Sequence, residues 1–298
     1  MILLMCYNAF CEVFKMKKKE IKYKIKTECD LVKYLNSLGY AKNKIKTYVR
    51  LGYILVNDRK IKKLPFLLKE GETLMIDKDN SISYHLHVVY EDDNYLVVDK
   101  EAGLLTISTS REAKEKEDTL YKRVRKYLNE KGEYAFVVNR IDKETSGLVI
   151  FVKNVALKEK LQSNWNSIVK KRGYIAIVKG VIYKSGHIDN YLYEDKRTYT
   201  HSTKVGGKRA ITDYKVIRTS GCYTMLDVDI KTGRKNQIRV HFAEMGYPIL
   251  GDKKYFSHDN PLKRLALHHY MISLIDPLSG ELLTFSSQVP EEFYDLFS

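Results

Sequence analysis

Residues 136–154 read FVVNRIDKETSGLVIFVKN, and no other stretch limits the fold of this chain so strongly. Phe136–Val138 and Leu148–Val152 are apolar runs of strand length that suit burial. Of the nine residues between them, only Ile141 and Gly147 are not polar. A chain that buries both runs must therefore hold Arg140, Asp142, Lys143, Glu144, Thr145 and Ser146 in one short loop at the rim of its core. On pattern alone, a charged surface turn is the commoner meaning of such a loop. The alternative is a carboxylate, Asp142, kept ionised and fixed beside Arg140 and so ready as a nucleophile or base.

The 298-residue chain is long enough for a sizeable core and for more than one domain. Its 52 Lys and Arg against 37 Asp and Glu leave a formal net charge of +15, a field that draws polyanions. Anionic membrane is the poorer partner, because no apolar run approaches the roughly 18 residues of a spanning helix. The cations are also spread along the chain and not gathered in one amphipathic arm. Cys6, Cys11, Cys29 and Cys222 form no CxxC pair and fit neither a zinc site nor a disulfide scaffold, which suits a reducing cytosol. The start, MILLMCYNAFCEVF, has no cation ahead of its apolar residues and no small-residue cleavage site, and MKKKE follows at Met16. Residues 1–15 are accordingly expected to be a non-native or disordered extension.

A small basic domain is expected over residues 16–80. Leu31, Leu35 and Leu38 are spaced for one helix face, with Asp30 or Thr27 as N-cap. Ile45, Tyr48 and Val49 suggest a second helix stopped near Gly52. Lys42, Lys46 and Arg50 recur every four residues and make a cationic stripe, although a plain solvated face has the same pattern. YILVN and ETLMID read as strands. Through DLVKYLNSLGYAKNKIKTYVRLGYILVND and KEGETLMID, this module resembles the RNA-binding domain named after ribosomal protein S-four.

Over residues 81–298 strands and helices mix. HVVYEDDNYLVVDK reads as strand, turn, strand. A helix is expected from Asp118 with Leu120, Val124, Tyr127 and Leu128 on one face, and another carries Leu157, Leu161 and Trp165. In YTMLDVDIK, Leu226, Val228 and Ile230 alternate with Asp227 and Asp229. Ile238, Phe242 and Met245 mark a short helix ending at Gly246. The class is α+β with a mostly antiparallel sheet.

Several chemistries find no support. There is no GxxxxGK[ST], HExxH or GxSxG. Asp92, Asp93, Asp142 and Asp252 have no ligand-like spacing, so neither a metal nor a cofactor is expected. KRGYIAIVKG places Tyr174 at the start of an apolar strand after two cations, where a core-edge aromatic is the plainer meaning. KTGRKNQIRVHFAEMGYPILGDKKY gathers Arg234, Lys235, Arg239 and His241 at a strand-to-helix turn, a setting for phosphate. His241 also reads as a satisfied helix histidine.

Together these segments resemble the RluA-type pseudouridine synthases. The family's His-Arg-Leu-Asp-x-x-Thr-Ser-Gly motif stands here as Asn139 to Gly147. Its Lys-x-Tyr-x-Ala-x-Val-x-Gly strand stands as Arg172 to Gly180, with Arg for Lys. Its Thr-Gly-Arg-x-His-Gln-Ile-Arg-x-His segment stands as Thr232 to His241. YEDDNYLVVDKEAGLL, GKRAITDYKV, GYPILGDKKY and RLALHHYMISLIDP add milder matches in family order. Asn139, Asn236 and Glu101 replace the family's usual His, His and Pro; both Asn side chains still donate and accept hydrogen bonds.

The resemblance implies a pseudouridine synthase fold, a mixed and mostly antiparallel sheet flanked by helices and loops, with a small α/β RNA-binding domain before it. It implies isomerisation of specific uridines in RNA by base flipping, without metal or cofactor. Asp142 is then the catalytic carboxylate, either adding to the ribose or taking a proton from it. Arg239 orients Asp142 by an ion pair, and Tyr174 stacks on uracil with a hydroxyl able to relay a proton. Arg140, Thr145 and Arg234 serve RNA binding in the cleft, and Lys42, Lys46 and Arg50 in the amino-terminal module. Large-subunit ribosomal RNA is the expected partner and transfer RNA the alternative; a non-catalytic ribosome assembly factor on the same fold is the rival. A cytoplasmic monomer is expected.

Overall fold

The structure, a computed structural model, describes residues 21–76, 86–108, 118–255 and 259–298 apart from 52, 58, 62 and 130, without the side chains of 21, 50, 51, 59 and 60. The extension expected over residues 1–15 lies outside them. The chain divides into two compact units, 1–85 and 86–298.

In the first unit the described elements run β1 (Ile21–Lys24), β2 (Cys29–Asp30), α1 (Leu31–Ser37), α2 (Lys42–Leu51), β3 (Ile54–Val56), β4 (Arg59–Lys60), β5 (Leu67–Leu68) and β6 (Thr73–Ile76). Strands β1, β6, β3 and β4 pair in that order into an antiparallel sheet, and β2 pairs with β5. Asp30 caps α1, its carboxylate accepting from the Val32 and Lys33 N–H groups at 3.0 Å each. Leu31 and Leu35 are buried, but Leu38 falls at the C-cap, past the helical register, and is 40% exposed. Helix α2 buries Ile45 and Val49 and leaves Lys42 and Lys46 exposed. Its expected stop near Gly52 lies outside the described residues. Asn57, at φ 49°, turns the chain after β3 and accepts the Thr73 N–H at 2.9 Å, tying the turn to β6.

The second unit runs β7 (His87–Glu91), β8 (Tyr95–Lys100), α3 (Leu120–Asn129), β9 (Phe136–Val137), β10 (Ser146–Val152), α4 (Val155–Ser163), α5 (Trp165–Ile168), β11 (Val169–Lys179), β12 (Gly186–Glu194), β13 (Thr200–Thr203), β14 (Lys208–Thr219), β15 (Tyr223–Ile230), α6 (Gln237–Glu244), β16 (Leu267–Ile275), β17 (Leu282–Ser286) and α7 (Glu291–Asp295). The strands form one sheet in the order β13-β12-β14-β15-β11-β16-β10-β8-β7, with β17 on β16 and β9 on β10. Among the described pairings only β10 with β16 is parallel, so the sheet is mixed and mostly antiparallel.

The centre of this sheet is buried on both faces, which is why β8 and β10 read as unbroken apolar runs. Leu96, Val98, Val149 and Phe151 join Leu120, Val124 and Leu128 of α3 and Ile238 and Phe242 of α6 in one core. The alternate residues Tyr95, Val97, Leu148, Ile150 and Val152 join Leu157 and Leu161 of α4 in another. Each such side chain contributes about 1.5–3 kcal/mol when fully buried. The Asp92 turn is as expected, its Oδ1 accepting from Asn94 N at 2.8 Å and Tyr95 N at 2.6 Å.

Three boundaries differ from expectation. Helix α3 starts at Leu120 and not Asp118, because Thr119 bridges to Leu105. Trp165 opens a separate helical turn, since Asn164 ends α4 in a non-helical conformation. Tyr174 stands in the middle of β11, which begins five residues earlier at Val169.

Candidate active site

The loop carrying Asp142 is tied down along its length. Asn139 behaves as a piece of strand: its Oδ1 accepts the Ile150 N–H at 2.7 Å and its Nδ2 donates to Leu148 O at 3.4 Å. Thr106 Oγ1 donates to Ile141 O at 3.0 Å. Lys100, with 0% exposure, donates from Nζ to the carbonyls of Lys143 at 3.1 Å and Glu101 at 2.9 Å. The Thr145 N–H closes a turn onto Asp142 O at 3.2 Å. Gly147 then takes φ 114° against β16, where a Cβ would stand 2.3 Å from His269 O, so no other residue fits. Glu101, at the position of the family's Pro, is bound to Arg123 at 2.7 Å.

Asp142 opens into a cleft of about 1040 Å³. Among the described residues Arg140, Lys143, Arg172, Arg234, Lys235, Arg239 and Lys254 line it, opposed by Asp142, Glu144 and Glu194. Arg239 rises from α6 and spends its fork on a different carboxylate from the one expected. Its Nε and Nη2 donate to the two oxygens of Asp252 at 2.7 and 2.8 Å, and Nη1 donates to Asn236 Oδ1 at 3.0 Å. Asp142 Oδ2 is 3.6 Å from Nη1. Asn236, buried at φ 54°, also donates from Nδ2 to Tyr255 Oη at 3.1 Å. A left-handed backbone favours Asn over most residues.

Tyr174 is 8% exposed, and one face of its ring is stacked on His269 with centroids 4.4 Å apart and planes 16° from parallel. His269 Nδ1 donates to Leu148 O at 2.8 Å, which fixes the tautomer and leaves the enclosed Nε2 without a partner. Burial holds His269 neutral, with its pKa lowered to about 4.

Burial dominates the other titrations as well. It pushes the Asp142 carboxyl above the usual carboxylate range, opposed by Arg239 and Lys100 and reinforced by Asp252. The Tyr174 hydroxyl is pushed up, and Lys100 is pulled down to about 7. His241 is the satisfied helix histidine, with Nδ1 3.0 Å from Thr212 Oγ1, Nε2 2.8 Å from Asn190 Oδ1, and its pKa lowered by burial to about 4.

The cleft thus collects Asp142, Tyr174, Arg239, Arg140, Thr145 and Arg234 from three separate stretches of sequence. Arg140 is exposed, Arg234 half-buried and Thr145 buried. Lys42 and Lys46 belong to the other unit, and the Arg50 side chain lies outside the described residues. No group of three or more potential metal ligands occurs among the described residues. Sequence reasoning overlooked Lys100, Thr106, Asp252 and His269. For Lys100 a signal was present: a cation ending the apolar strand YLVVDK is rarely buried without a task.

Residues 94–244 match the family model described as RNA pseudouridylate synthase. A protein named as an uncharacterised RNA pseudouridine synthase of Aquifex aeolicus is 30% identical over 87% of this chain and 89% of its own. Ribosomal large subunit pseudouridine synthase D of Neisseria meningitidis is 29% identical over 87% of this chain and 75% of its own, and that of Haemophilus influenzae 28% over 87% and 86%. Among solved structures, the human RNA pseudouridylate synthase domain containing 1 protein shares the fold with a TM-score of 0.57 at 21% identity, over 68% of this chain and 83% of its own.

Proposed function

Since this chain belongs to the RNA pseudouridylate synthase family, we propose that it isomerises specific uridines to pseudouridine in large-subunit ribosomal RNA, with Asp142 as the catalytic carboxylate. The names of the bacterial relatives favour that RNA. The observation that carries the reading is the placing of Asp142 beside Arg239 and Tyr174 in a cleft whose other charges are mostly cations.

The reaction breaks the bond between ribose and uracil N1, turns the base and rejoins it through C5, so no atom is gained and no electron acceptor is needed. A stacked uracil has to be flipped into the cleft, at a few kcal/mol, before Asp142 can reach its ribose. Contacts between the basic rim and flanking phosphates offset that. Asp142 then adds to the ribose or takes a proton from it, and uracil departs with the bonding pair. Arg239, anchored by Asp252 and Asn236, keeps the carboxylate oriented and ionised. Tyr174 offers its free ring face to uracil, and its raised hydroxyl pKa favours stacking over accepting the C5 proton. Arg140, Thr145 and Arg234 hold the nucleotide and its phosphates. The first unit acts as an S-four-like RNA-binding domain through Lys42, Lys46 and Arg50. The enzyme works as a cytoplasmic monomer without metal or cofactor; among the described residues no helix is long and apolar enough to cross a membrane.

The test is tritium release from ribosomal RNA carrying label at uracil C5, in EDTA, by wild type and Asp142→Asn. Release by wild type alone supports the assignment. Turnover by the variant overturns the role of Asp142, and release from transfer RNA alone overturns the substrate.

A further inference from the structure

Arg172 is a buried cation that makes no ion pair among the described residues. It precedes Tyr174 by two residues on β11, so both side chains leave the strand on one face, and both line the cleft. Arg172 is 8% exposed. Its Nη2 donates to the Lys231 carbonyl, and no carboxylate pairs with it among the described residues. Asp229, the acidic neighbour, is engaged by Lys231 Nζ and by the Arg172 backbone N–H.

Arg234 stands in the same condition. It lines the cleft, donates from Nε to Arg209 O at 2.9 Å and makes no ion pair among the described residues. It is near enough for the two guanidinium charges to oppose each other. Gly233, next to Arg234 in sequence, passes so close to Arg172 that a Cβ there would stand 3.2 Å from Arg172 Nη1.

A buried charge of this kind is held at a cost unless something meets it. Here the buried Arg172 and the half-buried Arg234 are each held by a backbone carbonyl, and both line the same cleft. We propose that Arg172 and Arg234 together clamp a single phosphodiester of the RNA, beside the flipped nucleotide. The proposal rests on the RNA-modifying reading above. Phosphate fits better than uracil because it alone carries a full negative charge before any bond breaks. Two guanidinium forks also match its oxygens, which the Lys usual at position 172 would not.

The test measures RNA binding by the full chain from about 50 to 200 mM salt. Arg172→Gln and Arg234→Gln are each expected to raise Kd about tenfold and to make the slope of log K against log salt shallower by about 1. Because both grip one phosphate, the double variant should lose little beyond either single one. Arg172→Lys should keep the slope. If Arg172→Gln fails to fold, the half-exposed Arg234→Gln is compared with Arg172→Lys in the same way. Unchanged Kd and slope with a fallen kcat would overturn the clamp, since the charge would then act on departing uracil. Additive slope losses would also overturn it, by requiring two phosphates. Wild-type RNA binding without tritium release would sink the isomerase reading and leave this binding test intact.

Discussion

Arg239 grips Asp252 through two hydrogen bonds of 2.7 and 2.8 Å and reaches Asp142 only at 3.6 Å. One carboxylate anchors the guanidinium so that it can face the other. Asp252 has 0% side-chain exposure and cannot touch RNA. Asp252→Asn should therefore lower kcat about 100-fold, the scale of a misplaced catalytic group. Kd for RNA should stay within about threefold, the scatter expected of a site with no contact to the ligand. Single-turnover tritium release and filter binding separate the two, and wild-type kcat in this variant would mean that Arg239 needs no anchor.

Asp142 weakens the fold in order to serve the site. Its carboxyl titrates above the usual range because burial outweighs Arg239. For such a group the folded state holds its proton more tightly than the unfolded chain. Stability is therefore full below the unfolded pKa and is lost as pH rises through the folded one. Above the unfolded pKa a penalty applies, and Asp142→Asn removes it. Urea denaturation should show the inactive variant more stable than wild type at neutral pH, with the gap closing near pH 3. A variant less stable at neutral pH would show that the ion pair with Arg239 outweighs burial.

Much of this site was legible because its chemistry lies in contiguous motifs. Local residue types alone favour a surface turn around Asp142 and a core-edge aromatic at Tyr174, and it is the motif resemblance that singles out Asp142, Tyr174 and Arg239; the alternation in β15 placed its buried face correctly. The partners that hold the three could not be singled out in this way. Asp252 is thirteen residues from Arg239 and meets it only through the fold, and Lys100 reaches the Asp142 loop across 43 positions. Asn236 looked like a plain replacement for His until its left-handed backbone and paired hydrogen bonds were visible. Boundaries failed where tertiary contacts overrode local pattern, as at Thr119, whose bridge to Leu105 delays a helix that periodicity would start earlier.

Gly147 joins the Asp142 loop to the one parallel pairing of the sheet among the described strands. A methyl group there would enter the His269 backbone, at 2.3 Å from its carbonyl oxygen, with φ at 114°. Neither strand can give way, because both are buried on two faces. Gly147→Ala should destabilise the protein by about 3 kcal/mol or more, against the 0.5–1 kcal/mol that an ordinary Gly-to-Ala change in a strand would gain. Urea denaturation decides it; a change under about 1 kcal/mol would mean that β10 and β16 can slide apart.

Lys100 carries the pH signature of the loop. Burial lowers its pKa from 10.5 to about 7. Between those values the unfolded chain binds the proton and the folded protein does not, so stability rises with pH across that window, by at most about 1.4 kcal/mol per unit. Below about pH 7 both states are protonated, and the contribution is level at its lowest value. Lys100→Met fills a similar volume, does not titrate, and gives up the bonds to the Lys143 and Glu101 carbonyls. Wild type should consequently gain on the variant by a few kcal/mol between pH 7 and 10, measured as the difference in denaturation free energy at each pH. A flat difference would mean that Lys100 stays charged in the fold, with the two carbonyls and the nearby Asp142 together meeting its charge.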